Sequence, residues 1–406
     1  MIKSISNKLT HIALIATLLY AIGANADDLE APVFSFSGFG TLGLVHSSED
    51  KADFTSSSFK PNGAGYTHAW SADVDSLIGG QVTANFTPKF TAILQVIAEQ
   101  NYDNTYRPHI EWGNIKYQFT PNFSIRVGRT VLPTFLFSGT RKVTYTYPWV
   151  RPPMEVYSLV PVSSSDGVDI QYRIHISDFT HTIQANYGRS INTLPDGGTA
   201  KAEQAWGVTY SLEYHDTTVH LAYQHPTLTI DSVKALFDAF RQFGPQGIAL
   251  ADKYDTNKKP LSIITVGATY NPGKWFVMAE WTHTQICSFR GKGTGWYVSG
   301  GYQFGKFTPY ITYAQATADN LSDPGLATPA ATGLNMALNG ILRTKTVQNT
   351  VSIGGRWDFM TNAALKLQYD HTSIGAGSNG LLINTQPGFQ PGGNVNVFSA
   401  TIEFVF

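Results

Sequence analysis

Charge is scarce in this chain. Only 14% of its 406 residues are Asp, Glu, Lys or Arg, and 28 basic against 29 acidic residues leave a net charge of −1. Neither sign dominates, which excludes a nucleic-acid surface built on a basic stripe. Cysteine is nearly absent: Cys287 stands alone, so no internal disulfide framework holds the fold. Leu is sparse, and beyond residue 26 no apolar run could cross a bilayer as a helix. The 11 His are scattered, with no His-Glu-x-x-His and no Cys cluster. Gly291-Lys292-Gly293 is not followed by a helical pattern that would make it a phosphate loop. No cofactor and no metal is therefore expected. The Asp and Asn of the loops show no ordered spacing for Ca²⁺.

Aromatics and glycine fill the space that these leave: 20 Tyr, 24 Phe and 37 Gly. The first 26 residues read as a secretory signal peptide. Lys3 and Lys8 form the basic region, 12–22 the apolar run, and Ala24-Asn25-Ala26 a small-x-small cleavage site. Such a segment is too short to span. Residues 27–406 are expected to make one domain.

That domain alternates with period two. In 76–86, Ile78, Gly80, Val82, Ala84 and Phe86 share one face, and Gln81, Thr83 and Asn85 the other. Thr87-Pro88-Lys89 then turns the chain into 90–99. The unit recurs as 110–119 with 123–130, 166–176 with 179–189, 205–214 with 218–224, 261–270 with 275–284, 296–304 with 307–315, and 347–359 with 363–371. Single strands stand at 34–45 and 395–406. Seven hairpins and two single strands give sixteen, an even number that lets the first strand close on the last. Connections alternate between short turns and long loops, and aromatic pairs such as Phe86 with Phe90 and Phe119 with Phe123 flank the short turns. One polar face, one apolar face and an aromatic girdle specify an all-β transmembrane antiparallel barrel, with short periplasmic turns and long outer loops. A soluble barrel would carry the apolar face inside.

The opening Phe36-Ser-Gly-Phe-Gly-Thr-Leu-Gly43, the closing strand ending in Phe406, and the run Arg126-Val-Gly-Arg129 followed by Tyr147-Pro-Trp-Val-Arg-Pro-Pro153 resemble the general porins of proteobacteria. The resemblance implies a water-filled channel of the Gram-negative outer membrane that passes small hydrophilic solutes and ions by passive diffusion. It implies no enzyme activity, a homotrimer as the assembly, and outer-membrane lipid and lipopolysaccharide as surroundings. Gly38, Gly40 and Gly43 are candidates for a close-packed subunit interface. The loop 131–165 would fold into the lumen as the constriction. Its Phe135, Phe137, Tyr147, Trp149 and Tyr157 are residues that pack, and Pro148, Pro152, Pro153 and Pro161 stiffen it. A lid on the outer mouth is the alternative placement.

The constriction is expected to be set by Arg141, Lys142, Arg151 and Glu155 on this loop and by Lys116, Arg126, Asp169 and Arg173 on neighbouring strands. Such charges set ion selectivity. The balance is basic and suggests a weak anion preference, unless the charges neutralise each other as loop-anchoring pairs. Residues 231–243 read as a short amphipathic helix capped by Asp231 and lying on the barrel mouth. A substrate-selective channel for carboxylates or sugars, an outer-membrane hydrolase and an adhesin are the competing functions. His181, His220 and His283 fall in strands and read as lumen or surface side chains.

Overall fold

The computed structural model describes residues 33–343 and 345–406; the expected signal peptide lies outside the described residues. Sixteen long antiparallel strands follow one another: β1 Val33–Ser47, β2 Leu77–Thr87, β3 Phe90–Glu99, β4 His109–Thr120, β5 Phe123–Val131, β6 Ser164–Ile176, β7 Phe179–Thr193 and β8 Thr199–Tyr214. The second half comprises β9 Thr217–Ile230, β10 Lys259–Tyr270, β11 Trp275–Ile286, β12 Lys292–Tyr302, β13 Phe307–Ala318, β14 Gln348–Met360, β15 Ala363–Ile374 and β16 Gly393–Val405. Each pairs with its sequence neighbour. β1 also pairs with β16 from Phe39↔Val405 to Ser47↔Val397, which closes the barrel. Gly38 and Phe406 exchange backbone hydrogen bonds of 2.8 and 2.9 Å and extend this seam. Closure leaves no strand edge for hydrocarbon to desolvate.

The two faces separate as the alternation requires. Leu42, Ile78, Val127, Ile183, Ile311 and Ile353 point outward and are exposed, while Thr41, Gln95, Asp169, Thr209, Lys366 and Glu403 point inward and are buried. The short-turn end carries an aromatic girdle. Phe86 meets Phe90 at 5.5 Å, Phe119 meets Phe123 at 5.5 Å and Tyr270 meets Trp275 at 5.1 Å between ring centroids. A second outward belt, not anticipated from the sequence, sits toward the long loops: Trp206 with Tyr223, Trp281 with His283, Trp296 with Tyr313. Its members lie mid-strand in sequence, so no turn marks them.

Three expectations change. First, the segment 190–204 is not loop. β7 and β8 continue to a hairpin at 194–198, and register shifts at Gly188/Ser190 and Glu203/Trp206 interrupt the alternation there. A bulge adds one residue and flips the phase, so the alternation stops while the strand goes on. Second, the loop after β9 holds two helices, α2 Lys234–Arg241 and α3 Gly244–Tyr254, after a shorter α1 at Met154–Tyr157; α4 Thr332–Arg343 follows β13. Asp231 does not cap: its carboxylate accepts from Thr199 Oγ1 and pairs with Lys201 at 2.9 Å. Phe237, Phe240, Leu250, Tyr254, Leu338 and Leu342 form a separate small core among these helices. Third, the inward face is not polar throughout. On β10–β13 it carries Ile263, Phe276, Met278, Tyr297, Tyr310 and Ala314, all buried.

The separation of faces predicts different tolerance. Ile311→Arg, on the lipid face, should destabilise the barrel by roughly 2–4 kcal/mol. Thr83→Arg, on the lumen face, should change stability by about 0.5 kcal/mol or less. Urea titration of barrels folded into vesicles measures both.

Candidate functional site: the lumen and its inserted loop

The apolar patch on β10–β13 is where the chain between β5 and β6 packs. Phe135, Tyr147, Trp149, Val156 and Tyr157 are each at most 2% exposed, buried against Ile263, Met278, Tyr297 and Tyr310. The loop thus lies inside the barrel, on an apolar seat that a wholly polar lumen would lack. Burying such aromatics contributes on the order of 2 kcal/mol each.

Polar contacts set its position. Thr209 Oγ1 of β8 donates to Pro133 O at 3.0 Å, and Leu136 N donates to Glu280 Oε1 of β11 at 2.7 Å. Trp149 Nε1 donates to Ser299 Oγ and Thr312 Oγ1, at 2.9 and 3.1 Å. The hydroxyls of Thr144 and Thr41 of β1 share a hydrogen bond of 2.6 Å. Tyr145 Oη donates to Thr361 O, 3.0 Å away in the turn between β14 and β15. On that side the loop reaches the short-turn end.

Buried charges complete the anchorage. Lys366 Nζ donates to the carbonyls of Thr144 and Trp149 at 2.8 Å each and pairs with Glu403 at 2.6 Å; neither side chain of that pair is exposed. Arg151 is held by Asp75 at 2.5 Å and Asp370 at 3.4 Å, and it donates to Ser399 Oγ at 2.7 Å. Burial works against the Arg151 guanidinium, but the Asp75 carboxylate outweighs it and raises its pKa. Glu155 accepts from Gln348 Nε2 at 2.6 Å and from Thr350 Oγ1. Burial raises its pKa, opposed by those hydrogen bonds. Below Glu155 sits Gly295 of β12, where an added Cβ would come within 2.0 Å of the Glu155 carbonyl oxygen. Only glycine lets the loop backbone approach the wall this closely.

The eight candidate charges divide by place. Arg151 and Glu155 face the wall as anchors. Arg141 is an internal strut: its guanidinium donates to Val160 O and Tyr157 O at 2.9 Å and lies over the Tyr157 ring at 5.5 Å. Lys142 pairs with Glu99 at 2.5 Å. The remaining four stand together on the wall of β4–β6. Lys116 is directly across from Arg126, and Arg126 across from Asp169. Arg126 pairs with Asp169 at 2.6 Å, and Asp169 also accepts from Gln184. Arg173 lies 3.5 Å from Glu213, both about half exposed. Among the described residues, Lys116 makes no ion pair. The anchors Asp75, Glu280, Asp370 and Glu403 were missed as a set: the first three lie 76 to 219 residues from their loop partners, Glu403 reaches the loop through Lys366, and no local pattern links them.

The loop therefore packs mainly against β8–β16 and β1 and touches β3 through Lys142 and Glu99, while among the described residues no hydrogen bond or ion pair ties it to Lys116, Arg126, Asp169 or Arg173 on β4–β6. The Gram-negative porin family profile matches residues 12–377. No curated protein sequence matches the chain. In structure the chain is similar to the anion-selective porin from Comamonas acidovorans, with a TM-score of 0.55, 11% identity, and coverage of 92% of this chain and 100% of that one. It is similar to OmpF of Salmonella typhi in complex with daunomycin, with a TM-score of 0.57, 13% identity, and coverage of 92% and 97%. It is also similar to the outer membrane channel DcaP of Acinetobacter baumannii, with a TM-score of 0.57, 11% identity, and coverage of 93% and 98%. At these identities the likeness is one of fold.

Two outcomes follow from the anchorage. Gly295→Val should push the Glu155 segment off the wall, and single-channel recordings should show changed conductance with more open-channel noise. Glu155→Gln keeps both accepted hydrogen bonds and should leave the loop seated, while Glu155→Ala leaves a buried amide unmatched and costs about 1–3 kcal/mol. Because burial raises this carboxyl above its ordinary 4.5, proton uptake favours the seated loop. Its contribution should be fully present below that value and fade as pH rises through the raised one. Thermal unfolding of wild type and Glu155→Gln from pH 4 to 8 checks this: the pH-linked difference belongs to the wild type.

Proposed function

The chain belongs to the Gram-negative porin family, channels for passive diffusion across the outer membrane, and from that premise we propose that solutes pass along one side of this barrel, between the 131–165 loop and the wall of β3–β7, with a weak preference for anions. The observation that carries the preference is Lys116. It stands beside Arg126 in the ladder without a carboxylate partner among the described residues, while Arg126 and Arg173 have theirs. An unpaired cation beside the solute path biases permeation weakly.

Most charge in the loop supports this modest reading, because it is spent on anchorage and not on the solute path. The polar groups of the lumen are engaged with one another in a way that suits a wall more than a reaction centre, so we read the chain as a channel and not an enzyme. A homotrimer suits the outward face around Gly38, Gly40 and Gly80. Gly43 does not belong to it, since its added Cβ would meet Asp75 on the lumen side.

Reversal potentials across a salt gradient in planar bilayers test the preference. The wild type should favour anions, and Lys116→Glu should move the potential toward or past cation selectivity. Clear cation preference with Lys116 intact overturns the reading. Three equal conductance steps per insertion are expected for the trimer.

A further inference from the structure

The second aromatic belt contains an unusual residue for its position. His225, His283 and His371 are each the ninth residue of an odd strand, β9, β11 and β15, counted from the short turn. They therefore stand at one height, toward the long loops. His46 of β1 joins them across the closing seam, opposite Phe398, which lies beside Tyr369. All four lie on the outward face, in phase with exposed Leu44, Leu221, Trp281 and Tyr369.

Each imidazole is steadied by neutral groups. His46 stacks on Trp70 at 4.8 Å and shares a hydrogen bond with Ala69 O through Nδ1. His225 lies beside Trp206 and near Ser262 Oγ. His283 stacks on Trp281 at 6.0 Å and is bonded to Thr294 Oγ1 at 2.8 Å. His371 is bonded to Asn396 Oδ1 at 2.7 Å. In every case Nδ1 is the engaged nitrogen, which leaves Nε2 for something outside the barrel.

The strands beside them offer no counter-charge at contact. The direct cross-strand neighbours are Phe398 and Trp70 for His46, and Trp206 for His225. They are Ile264 and Thr294 for His283, and Val351 and Asn396 for His371. One pleat further toward the loops, Glu203 shares the face of His225 and Lys292 that of His283. Among the described residues the ion pairs made by histidine belong to His109 alone. On β5 and β6, by contrast, the outward pair Arg129–Asp166 neutralises itself at 2.6 Å. Histidine is the side chain that gains charge in mildly acidic water. A cation gained here, at the upper edge of the apolar band, must find its anion in the membrane.

We propose that His46, His225, His283 and His371 form a ring that binds the phosphate of anionic lipid headgroups on the long-loop side and engages as the imidazoles take up protons. Ring contacts with indole or phenol hold His46, His225 and His283 at headgroup depth, Asn396 holds His371, and Nε2 donates to a phosphate oxygen once protonated. Neutral, the same rings serve as ordinary amphipathic interfacial aromatics. The ring would make the annular lipid layer selective in acid and indifferent at alkaline pH.

The belt carries its own reporters, Trp70, Trp206 and Trp281. The barrel is folded into vesicles of phosphatidylcholine with brominated phosphatidylglycerol, whose charge does not change between pH 5.5 and 8. Tryptophan quenching then gives the binding constant of the anionic lipid relative to brominated phosphatidylcholine. The wild type should show a rise of roughly threefold or more on going from pH 8 to 5.5, against about fivefold for each fully engaged charge. Replacing all four histidines by Gln should flatten the profile, and the pair His225→Gln and His283→Gln, on strands far from the seam, should remove about half of it. His181→Gln, at the opposite girdle, should leave the rise intact. A flat wild-type profile, a rise that persists in the fourfold variant, or one abolished by His181→Gln each overturns the proposal.

Discussion

Hydrocarbon offers neither donor nor acceptor, so the backbone groups on the free edges of β1 and β16 must satisfy one another. That requirement brings Val33–Ser47 against Gly393–Val405, chain segments more than 340 residues apart, and forces the strands between them into a ring. Once the ring exists, period-two alternation assigns every side chain to lipid or lumen. Outward apolar residues then need no partners from the protein, and inward polar residues need many.

The inserted loop resolves the second need unevenly. It covers one side of the lumen with an apolar core and ties its charges to the wall in pairs, and leaves the other side wet. Lys366 with Glu403 is fully desolvated, and Arg151 with Asp75 and Asp370 is buried. Buried pairs of this kind add little net stability over apolar packing, yet removing one partner leaves a charge uncompensated, which costs about 3–5 kcal/mol. Their effect is on position: a loop seated on these points has one place to lie.

The barrel was legible in the sequence because its rule is local. Alternation and turn residues place β2 and β3 without knowledge of any other strand, and the closing strand shows its two faces within 395–406. The helix at 234–241 was legible from its apolar stripe. The loop's interior was not, for a related reason. Aromatics and prolines between 131 and 165 say that the segment packs, but Arg151 gives no hint whether it faces solute or Asp75. That depends on contacts across the barrel. Bulges hid the ends of β7 and β8, and the apolar inner face of β10–β13 escaped notice because alternating Ile263 and Met278 look like any hydrophobic strand residue. The four outward histidines were visible individually and unremarkable until the ring set them at one height.

The points that hold the loop lie mostly late in the chain. Thr144, Trp149 and Arg151 are received by Lys366, Asp370 and Ser399, on the last two strands. The narrow passage therefore has no floor until the final hairpin arrives. Assembly is coupled to permeability in one direction: a barrel that stalls before its last strands can lay the loop on the apolar seat of β10–β13 but lacks the charges that fix Thr144, Trp149 and Arg151, and one that finishes acquires its restricted aperture in the same event. The cell's exposure to a half-built hole is limited to the interval before that closing step.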